Sequence, residues 1–276
     1  MKVGSFQSPV VYSDPGANVA YALDRMGSTP GLDLAVFPEA FLTGYGAESR
    51  DAGFAMAMSD FGALSPLEQF SRDHGTVIVV GAIVAEQDLL RNRAFVISPS
   101  GTSYYDKTHL PFLGVDRFVT AGDRLEQFPV QDARLGVLIC YDQRPPEPTR
   151  TLALEGIDIL ALPTNWPEGA ETSADFISIA RAAENKIFVV TCNRVGTESG
   201  FRFIGRSRII DPSGRVLAQA EANETVLVAD IDVNHARQKR TVNRPGEYEI
   251  DVMGERRPNL YGAIKNEYVP IPSKEG

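Results

Sequence analysis

Cysteine, tryptophan and histidine are scarce in this sequence of 276 residues. It contains two cysteines, one tryptophan and three histidines. Two cysteines, Cys140 and Cys192, cannot form the disulfide framework of a small secreted protein. We therefore expect a cytoplasmic protein whose thiols are kept reduced.

Long apolar runs are also missing. The longest, residues 77–85, is too short to cross a bilayer. Residues 1–16 contain no apolar stretch of signal-peptide length. We expect no membrane segment and no targeting segment.

Positive charge is in short supply. Lysine and arginine number 27 against 36 aspartate and glutamate residues, so the formal net charge is −9. An acidic chain repels phosphate backbones, and this argues against nucleic acid as a partner.

The chain contains regularly alternating strand-like and helix-like segments, which predict an α/β fold. It has no linker-like composition, so we expect a single domain over 1–276. The residues 253–276 form a C-terminal tail that either packs across a partner subunit or is partly disordered. The predicted strands are 2–7, 32–37, 77–84, 94–97, 102–105, 135–139, 157–162, 187–191, 203–210, 215–219 and 226–231. The predicted helices are 17–26, 61–73, 147–155, 172–185 and 233–240.

Two short segments recur in the second half. Residues 96–101 resemble residues 209–214, and both read as hairpins; residues 34–39 resemble residues 159–164. We infer two pseudo-repeated halves, each contributing one sheet, packed face to face with helices outside.

Three reactive side chains follow predicted strands. Glu39 comes after the strand 32–37, Lys107 after 102–105 and Cys140 after 135–139. Ligands of α/β sheets bind beyond the carboxyl ends of the strands, so these side chains form a candidate site.

Cys140 has two interpretations. A cysteine after an apolar strand is usually a buried, inert side chain. However, a polar turn leading into a helix follows Cys140, and such a turn exposes a nucleophile and directs backbone N–H groups at its substrate. Cys192 lacks this context and is interpreted as structural. Glu39 has apolar neighbours, and a buried carboxylate needs a partner, for which Lys107 is a candidate.

The segments around these residues resemble the three motifs of the nitrilase superfamily of carbon–nitrogen hydrolases. The matching residues are Phe37-Pro38-Glu39, Tyr105-Asp106-Lys107-Thr108-His109-Leu110 and Ile139-Cys140-Tyr141-Asp142. The resemblance extends from the first strand to about residue 231. It implies a four-layer αββα sandwich that pairs into a homodimer or a higher homo-oligomer across its outer helices.

The resemblance also implies roles. Cys140 would attack a carbonyl carbon, Glu39 would take the thiol proton and later activate water, and Lys107 with the backbone N–H of Tyr141 would stabilise the oxyanion. A thiol is only slightly ionised at neutral pH and needs such a base. The implied chemistry requires no metal and no organic cofactor.

Two positions depart from the family pattern. Many members have a second glutamate between the lysine and the cysteine; here the nearest acid is Asp116, one methylene shorter. Asp116 either fills that role or pairs with a neighbouring arginine. In addition, Pro145 stands where the family often has an aromatic residue.

Cys140-Tyr141-Asp142 resembles the amidase and carbamoylase branches, whereas members that hydrolyse nitriles typically have Cys-Trp-Glu. We expect a small or medium amide as the substrate. Alternatives are an N-carbamoyl amino acid hydrolase, a nitrile hydrolase, an acyltransferase that uses a thioester, and a non-catalytic binding protein. The predicted substrate-binding residues are Tyr45, Phe112, Arg144, Asn165 and Trp166.

His109 offers another way to activate a thiol, as a Cys–His pair. We favour a structural role for His109, because a Glu-Lys-Cys triad accounts for more of the sequence.

Overall fold

The computed structural model describes residues 1–267. It contains two compact units, the first over Met1–Gln238 and the second beginning at Lys239. The expectation of one domain stays a prediction. Of the predicted tail, the residues from 268 onward lie outside the described part.

The first unit holds most of the secondary structure. Its strands are β1 (Lys2–Gln7), β2 (Leu34–Val36), β3 (Val77–Glu86), β4 (Leu89–Ser98), β5 (Gly101–Asp106), β6 (Gln127–Val130), β7 (Ala133–Val137), β8 (Ile159–Pro163), β9 (Phe188–Cys192), β10 (Val195–Glu198), β11 (Phe201–Ile204), β12 (Arg208–Ile210), β13 (Val216–Gln219) and β14 (Thr225–Asp230). Its helices are α1 (Pro15–Gly27), α2 (Arg50–Met56), α3 (Ser65–His74), α4 (Glu147–Leu154), α5 (Ser178–Asn185) and α6 (Asn234–Arg237). The second unit contains a hairpin of β15 (Arg240–Arg244) and β16 (Tyr248–Asp251) and two 3₁₀ turns, Pro258–Leu260 and Gly262–Lys265.

Two six-stranded sheets repeat the same strand order and directions. The first runs β5-β4-β3-β2-β1-β14 and the second β13-β12-β9-β8-β7-β6. In each sheet the first two neighbouring pairs are antiparallel, the next two are parallel and the last is antiparallel. The predicted pseudo-repeat is therefore visible as a repeated sheet topology.

The registers relate the halves residue by residue. In β1, Val3 pairs with the first residue of the segment 34–39, and in β7, Leu135 pairs with the first residue of the similar segment 159–164. Val3 is therefore the counterpart of Leu135. Counting on along each chain, Ser8 is the counterpart of Cys140. Each sheet thus has an equivalent position just beyond the carboxyl end of a strand, which we call its rim position. Cys140 occupies one rim position and Ser8 the other.

The sheets face each other, and helices cover their outer faces. Strands β1, β2 and β3 of the first sheet contact β8 and β9 of the second, and the Ser5 hydroxyl donates to the Thr191 carbonyl across the interface at 2.8 Å. Helices α1 and α3 pack on the first sheet, and α5 packs on the second beside α4. The layers form the predicted αββα sandwich.

Local sequence explains the helix ends and the core. The Asp14 carboxylate accepts from the Ala17 N–H at 2.9 Å and caps α1, and Gly75 ends α3 with a left-handed φ of 71°. Phe6 stacks on Phe37 with ring centroids 4.7 Å apart, inside the cluster between the first sheet and its helices.

Several element predictions were wrong in detail. The strand predicted at 203–210 is two strands, because Gly205 and Arg206 have φ of 65° and 60° and interrupt it. The helix predicted at 172–185 begins with a π-helical turn, Ser173–Ile177. The helix predicted at 233–240 is the single turn of α6. The prediction missed α2, β6 and β10; β6 contains Pro129, which sheets tolerate at an edge.

Among residues 1–267, the structure contains no helix that is long and apolar enough to cross a membrane.

Candidate active site

Cys140 lies at the sharp turn after β7. It is the first residue of a 3₁₀ turn, Cys140–Gln143, and its φ of 48° is left-handed. That conformation is strained for a residue with a Cβ, and such strain occurs where a side chain must be presented. The first N–H groups of a helical turn have no carbonyl partner within it, so the Tyr141 N–H suits an oxyanion.

The Asp142 carboxylate holds this turn in place through hydrogen bonds. Its oxygens accept from the Ile139 backbone N–H at 2.9 Å, the Tyr105 hydroxyl at 2.9 Å and the His109 backbone N–H at 2.7 Å. The Asp142 side chain is fully buried. The Asp142 carboxylate therefore ties the cysteine motif to the lysine motif, and this bond network offsets the backbone strain at Cys140.

Glu39 and Lys107 form a buried ion pair. The Lys107 Nζ lies 2.7 Å from the Glu39 Oε1, and both side chains have no exposed surface. The other carboxylate oxygen, Glu39 Oε2, is buried without a hydrogen-bond partner. Glu39 thus keeps one oxygen free to accept a proton.

Asp116 completes this cluster. Its Oδ2 lies 2.5 Å from the Lys107 Nζ and accepts from the Tyr45 hydroxyl at 2.9 Å. The neighbouring Arg117 instead donates to backbone carbonyls. Asp116 therefore contacts Lys107 rather than the neighbouring arginine, and its role as the second acid stays a prediction.

Asn92 was not predicted as a site residue. Its side-chain N–H₂ group donates to Glu39 Oε1 at 2.7 Å and to Asp116 Oδ1 at 2.8 Å, and so bridges the two carboxylates. The available signal was a polar residue just before the predicted strand 94–97, within what the structure shows as β4, the first strand of the hairpin.

Burial and charge set the protonation of the cluster. Burial raises the pKa of the Glu39 carboxyl, against the lowering effect of Lys107. Burial alone would lower the pKa of Lys107, but Asp116 and Glu39 outweigh it and hold that pKa well above its usual value. Burial and then Glu39 raise the pKa of the Cys140 thiol. The resting state is therefore a neutral thiol beside a charged lysine and a carboxylate that protonates more readily than usual.

Asn165 and Trp166 follow β8, beside Cys140. A backbone hydrogen bond from Asn165 to Cys140 favours the thiolate. Both polar side-chain atoms of Asn165 are buried without a partner. Trp166 is 3% exposed, and its backbone N–H donates to the Asn193 Oδ1 at 2.8 Å.

The other predicted site residues occupy different surroundings. Tyr45 is buried, with its ring centroid 5.9 Å from the Lys107 Nζ. Phe112 is 90% exposed, and Arg144 lies near the surface with its guanidinium donating to the Ser173 hydroxyl at 3.2 Å. Both side chains are exposed, and the roles of Phe112 and Arg144 in substrate binding stay predictions.

His109 and Cys192 lie outside the triad. The His109 Nδ1 is 3.0 Å from the Asp142 carboxylate, whose hydrogen bond raises the histidine pKa. Cys192 is fully buried, and burial raises its pKa to about 12. Within residues 1–267, histidine, cysteine and acidic side chains form no group of three or more that could hold a metal ion.

This chain is similar to known proteins in sequence and in fold. A family profile described as carbon-nitrogen hydrolase matches residues 2–241. A nitrilase of Pyrococcus abyssi is 38% identical over 247 residues, covering 87% of this chain and 93% of that protein. A 2-oxoglutaramate amidase of Bacillus subtilis is 29% identical over 267 residues, covering 94% of this chain and 98% of that protein. The crystal structure of a CN-hydrolase superfamily protein from Xanthomonas campestris, with an arsenic adduct in its active site, superposes with a TM-score of 0.79 at 25% identity, covering 87% of this chain and 93% of that one.

Proposed function

We propose a substrate class and a mechanism from one premise: the chain belongs to the carbon–nitrogen hydrolase family and is an amidase-type enzyme with a Glu-Lys-Cys triad. Its substrate is a small or medium primary amide, which it hydrolyses through a thioester on Cys140. The observation that supports this most directly is the Lys107–Glu39 pair of 2.7 Å, with its free Glu39 Oε2, in the site that also contains Cys140.

In the first half-reaction the Cys140 sulfur attacks the amide carbonyl carbon while its proton passes to Glu39 Oε2. A lysine ammonium has three N–H donors. Lys107 uses two of them on Glu39 and Asp116, and the third is available to the developing oxyanion together with the Tyr141 N–H. Collapse of the oxyanion breaks the C–N bond, Glu39 returns the proton to the departing nitrogen, and ammonia leaves.

In the second half-reaction water hydrolyses the thioester. Glu39, ionised again, takes a proton from the water as its oxygen attacks the acyl carbon. The same donors stabilise the second oxyanion, the C–S bond breaks, and Cys140 recovers the proton as the carboxylic acid leaves. Asp116 stays bonded to Lys107 throughout and keeps that lysine charged.

Asn165 supports the choice of a primary amide. A side-chain amide presents both a donor and an acceptor, and burying them without partners costs about 1–3 kcal/mol for each group. A substrate carboxamide has the complementary acceptor and donor. We assign Asn165 and Trp166 to the substrate-binding wall, with Tyr45, Phe112 and Arg144 as further candidates.

The test is ammonia release from a panel of primary amides, N-carbamoyl amino acids and nitriles, with Cys140→Ala as the control. Release from amides that disappears in the folded variant supports the proposal. A preference for carbamoyl compounds or nitriles would show that the proposed substrate class, primary amides, is wrong. Absence of release together with an alkylatable Cys140 would favour an acyltransferase, and an unreactive Cys140 would favour a binding protein.

We further propose that the protein works in the cytoplasm as a homodimer or a higher homo-oligomer. Both cysteines are free, and a nucleophilic thiol persists in a reducing compartment. On the helical layer of the second sheet, Leu154 is 48% and Phe176 70% exposed, which suits pairing across that layer. Light scattering should give a mass of at least twice the chain's 30.1 kDa. A mass of one chain would contradict the oligomer.

A further inference from the structure

A second buried ion pair lies close to the triad. Glu198, the last residue of β10, accepts from the Arg194 guanidinium through Oε2 at 2.9 Å. The two side chains are 7% and 2% exposed. Burying such a pair is costly unless its remaining polar atoms are also hydrogen-bonded. The other bonds of Glu198 therefore indicate what the pair is for.

Those bonds go to the loop that contains Tyr45. Glu198 Oε1 accepts from the backbone N–H groups of Tyr45 and Gly46, both at 2.7 Å. The Ser199 hydroxyl adds a third bond, to the Gly46 carbonyl at 2.7 Å. A Cβ on Gly46 would lie 2.4 Å from the Ser199 Oγ, and one on Gly44 3.0 Å from Glu198 Oε2. The loop is fitted closely to the end of β10.

The same loop reaches the catalytic cluster through one side chain. The Tyr45 hydroxyl donates to Asp116 Oδ2, the oxygen that contacts the Lys107 Nζ. The Tyr45 carbonyl accepts from the Val115 N–H at 2.9 Å, which fixes the chain next to Asp116. The position of the Tyr45 backbone thus determines where Asp116 is held.

We propose that Glu198 is a positioning residue of the active site: by fixing the backbone of Tyr45 it directs the Tyr45 hydroxyl at Asp116 and keeps Asp116 against Lys107. The turnover readout rests on the proposed function. Loss of this alignment acts on catalysis because small displacements of catalytic groups lower the rate strongly.

The test combines Glu198→Gln and Tyr45→Phe in a double-mutant cycle. The glutamine has one carbonyl oxygen and cannot accept from both the loop and Arg194. We expect each single variant to lower kcat about tenfold or more, with KM changed less than about threefold. If Glu198 acts through the Tyr45 hydroxyl, the double variant loses little more than either single variant. Losses that multiply, or an unchanged kcat in folded Glu198→Gln, would overturn the proposal.

Glu168→Gln is the matched control, because Glu168 pairs with Arg202 at 3.3 Å while both side chains are more than half exposed. This variant should keep wild-type kcat. If Glu198→Gln does not fold, Ser199→Ala tests the same loop more gently and should lower kcat in the same direction. An unchanged kcat in Ser199→Ala, with Glu198→Gln unfolded, would count against positioning.

Alkylation distinguishes this proposal from the proposed function. The rate at which iodoacetamide modifies Cys140, located by peptide mass, needs no amide substrate, and buried Cys192 serves as the internal reference. A changed alkylation rate in both Glu198→Gln and Tyr45→Phe, in a protein that releases no ammonia, would refute the amidase and retain the positioning role. Unchanged rates in both variants would refute the positioning role.

Discussion

At the scale of single residues, Asp116 shows how an acid shorter than glutamate reaches Lys107. Gly114 has a φ of 50°, and a Cβ there would lie 2.4 Å from the Tyr45 ring. The loop before Asp116 therefore packs directly on Tyr45, and this close approach brings the carboxylate within 2.5 Å of the Lys107 Nζ. The backbone conformation thus compensates for the one methylene group by which aspartate is shorter than glutamate.

Asp116→Glu should therefore lower activity although it restores the acid common in the family. Asp116 is 2% exposed and bonded to Lys107, Tyr45 and Asn92, so a longer side chain has no free space. Overpacking costs about 1–3 kcal/mol, and we expect kcat/KM to fall about tenfold or more. Steady-state kinetics beside Asp116→Asn provide the check. Wild-type kcat/KM in Asp116→Glu would refute the tight fit.

The pH dependence of kcat/KM should report Glu39. Burial raises its pKa, so lowering the pH protonates this base earlier than it would an ordinary glutamate, whose pKa is about 4.3. Activity is present above the raised pKa and is lost as the pH falls through it. A profile measured from pH 4 to 9 should have an acid limb above the usual glutamate range. An acid limb at or below that range would contradict the buried base.

At the scale of elements, the Glu39 segment depends on its neighbour strand. The Phe37 N–H donates to the Val79 carbonyl, and the Leu42 N–H donates to the Gly81 carbonyl, both at 2.9 Å. A Cβ on Gly81 would lie 2.4 Å from the Ala40 backbone nitrogen. Only a glycine at this point of β3 lets the segment after β2 pack so closely.

Gly81→Ala should displace Glu39 and destabilise the fold. The new Cβ meets backbone rather than a side chain that can move, so we expect a loss of about 2 kcal/mol or more in unfolding free energy. Activity should fall with it. Gly27→Ala is the control, because a Cβ there meets nothing within 4 Å. Thermal unfolding in which both variants resemble the wild type would refute the close packing.

The sequence predicted most elements because apolar runs and turn residues coincide with them, as in β3 and in the hairpin of β4 and β5. It failed where tertiary context decides the structure. Gly205 and Arg206 look like part of a strand, and only their left-handed φ divides it. Strand β6 contains Pro129 and exists because it can form the edge of a sheet.

At the scale of the whole molecule, the repeated topology gives two equivalent rims, of which one carries the cluster of Glu39, Lys107 and Cys140. Ser8, the counterpart of Cys140, has a buried hydroxyl without a hydrogen-bond partner, and Thr164 stands in the place of Glu39. The first rim position therefore has no carboxylate base beside its hydroxyl in the equivalent place.

Ser8→Ala should accordingly keep kcat/KM within about twofold of wild type, whereas Cys140→Ser should lose nearly all activity because a hydroxyl is a far weaker nucleophile at its ordinary pKa. Parallel kinetics of the two variants decide the matter. A severe loss of turnover in folded Ser8→Ala would show that both rims take part.

The sequence allowed prediction of those site residues that lie within recognisable motifs. Glu39, Lys107 and Cys140 were predicted from local segments because each lies at a strand end within a specific pattern. Asn92 and Glu198 were not predicted, since each joins this cluster through contacts with residues distant in sequence. Those contacts exist only once the chain has folded.

The proposed hydrolysis of amides through a thioester on Cys140 can be tested by partitioning of the acyl-enzyme. Two substrates with the same acyl group form the same acyl-enzyme, whatever leaving group has departed. That acyl-enzyme reacts with water to give the acid and with added hydroxylamine to give the hydroxamate, in one fixed ratio. We expect the same ratio of hydroxamate to acid from a primary amide and from the methyl ester of the same acid, with both products absent in Cys140→Ala. Ratios that differ between the two donors, or turnover that survives in Cys140→Ala, would contradict the account.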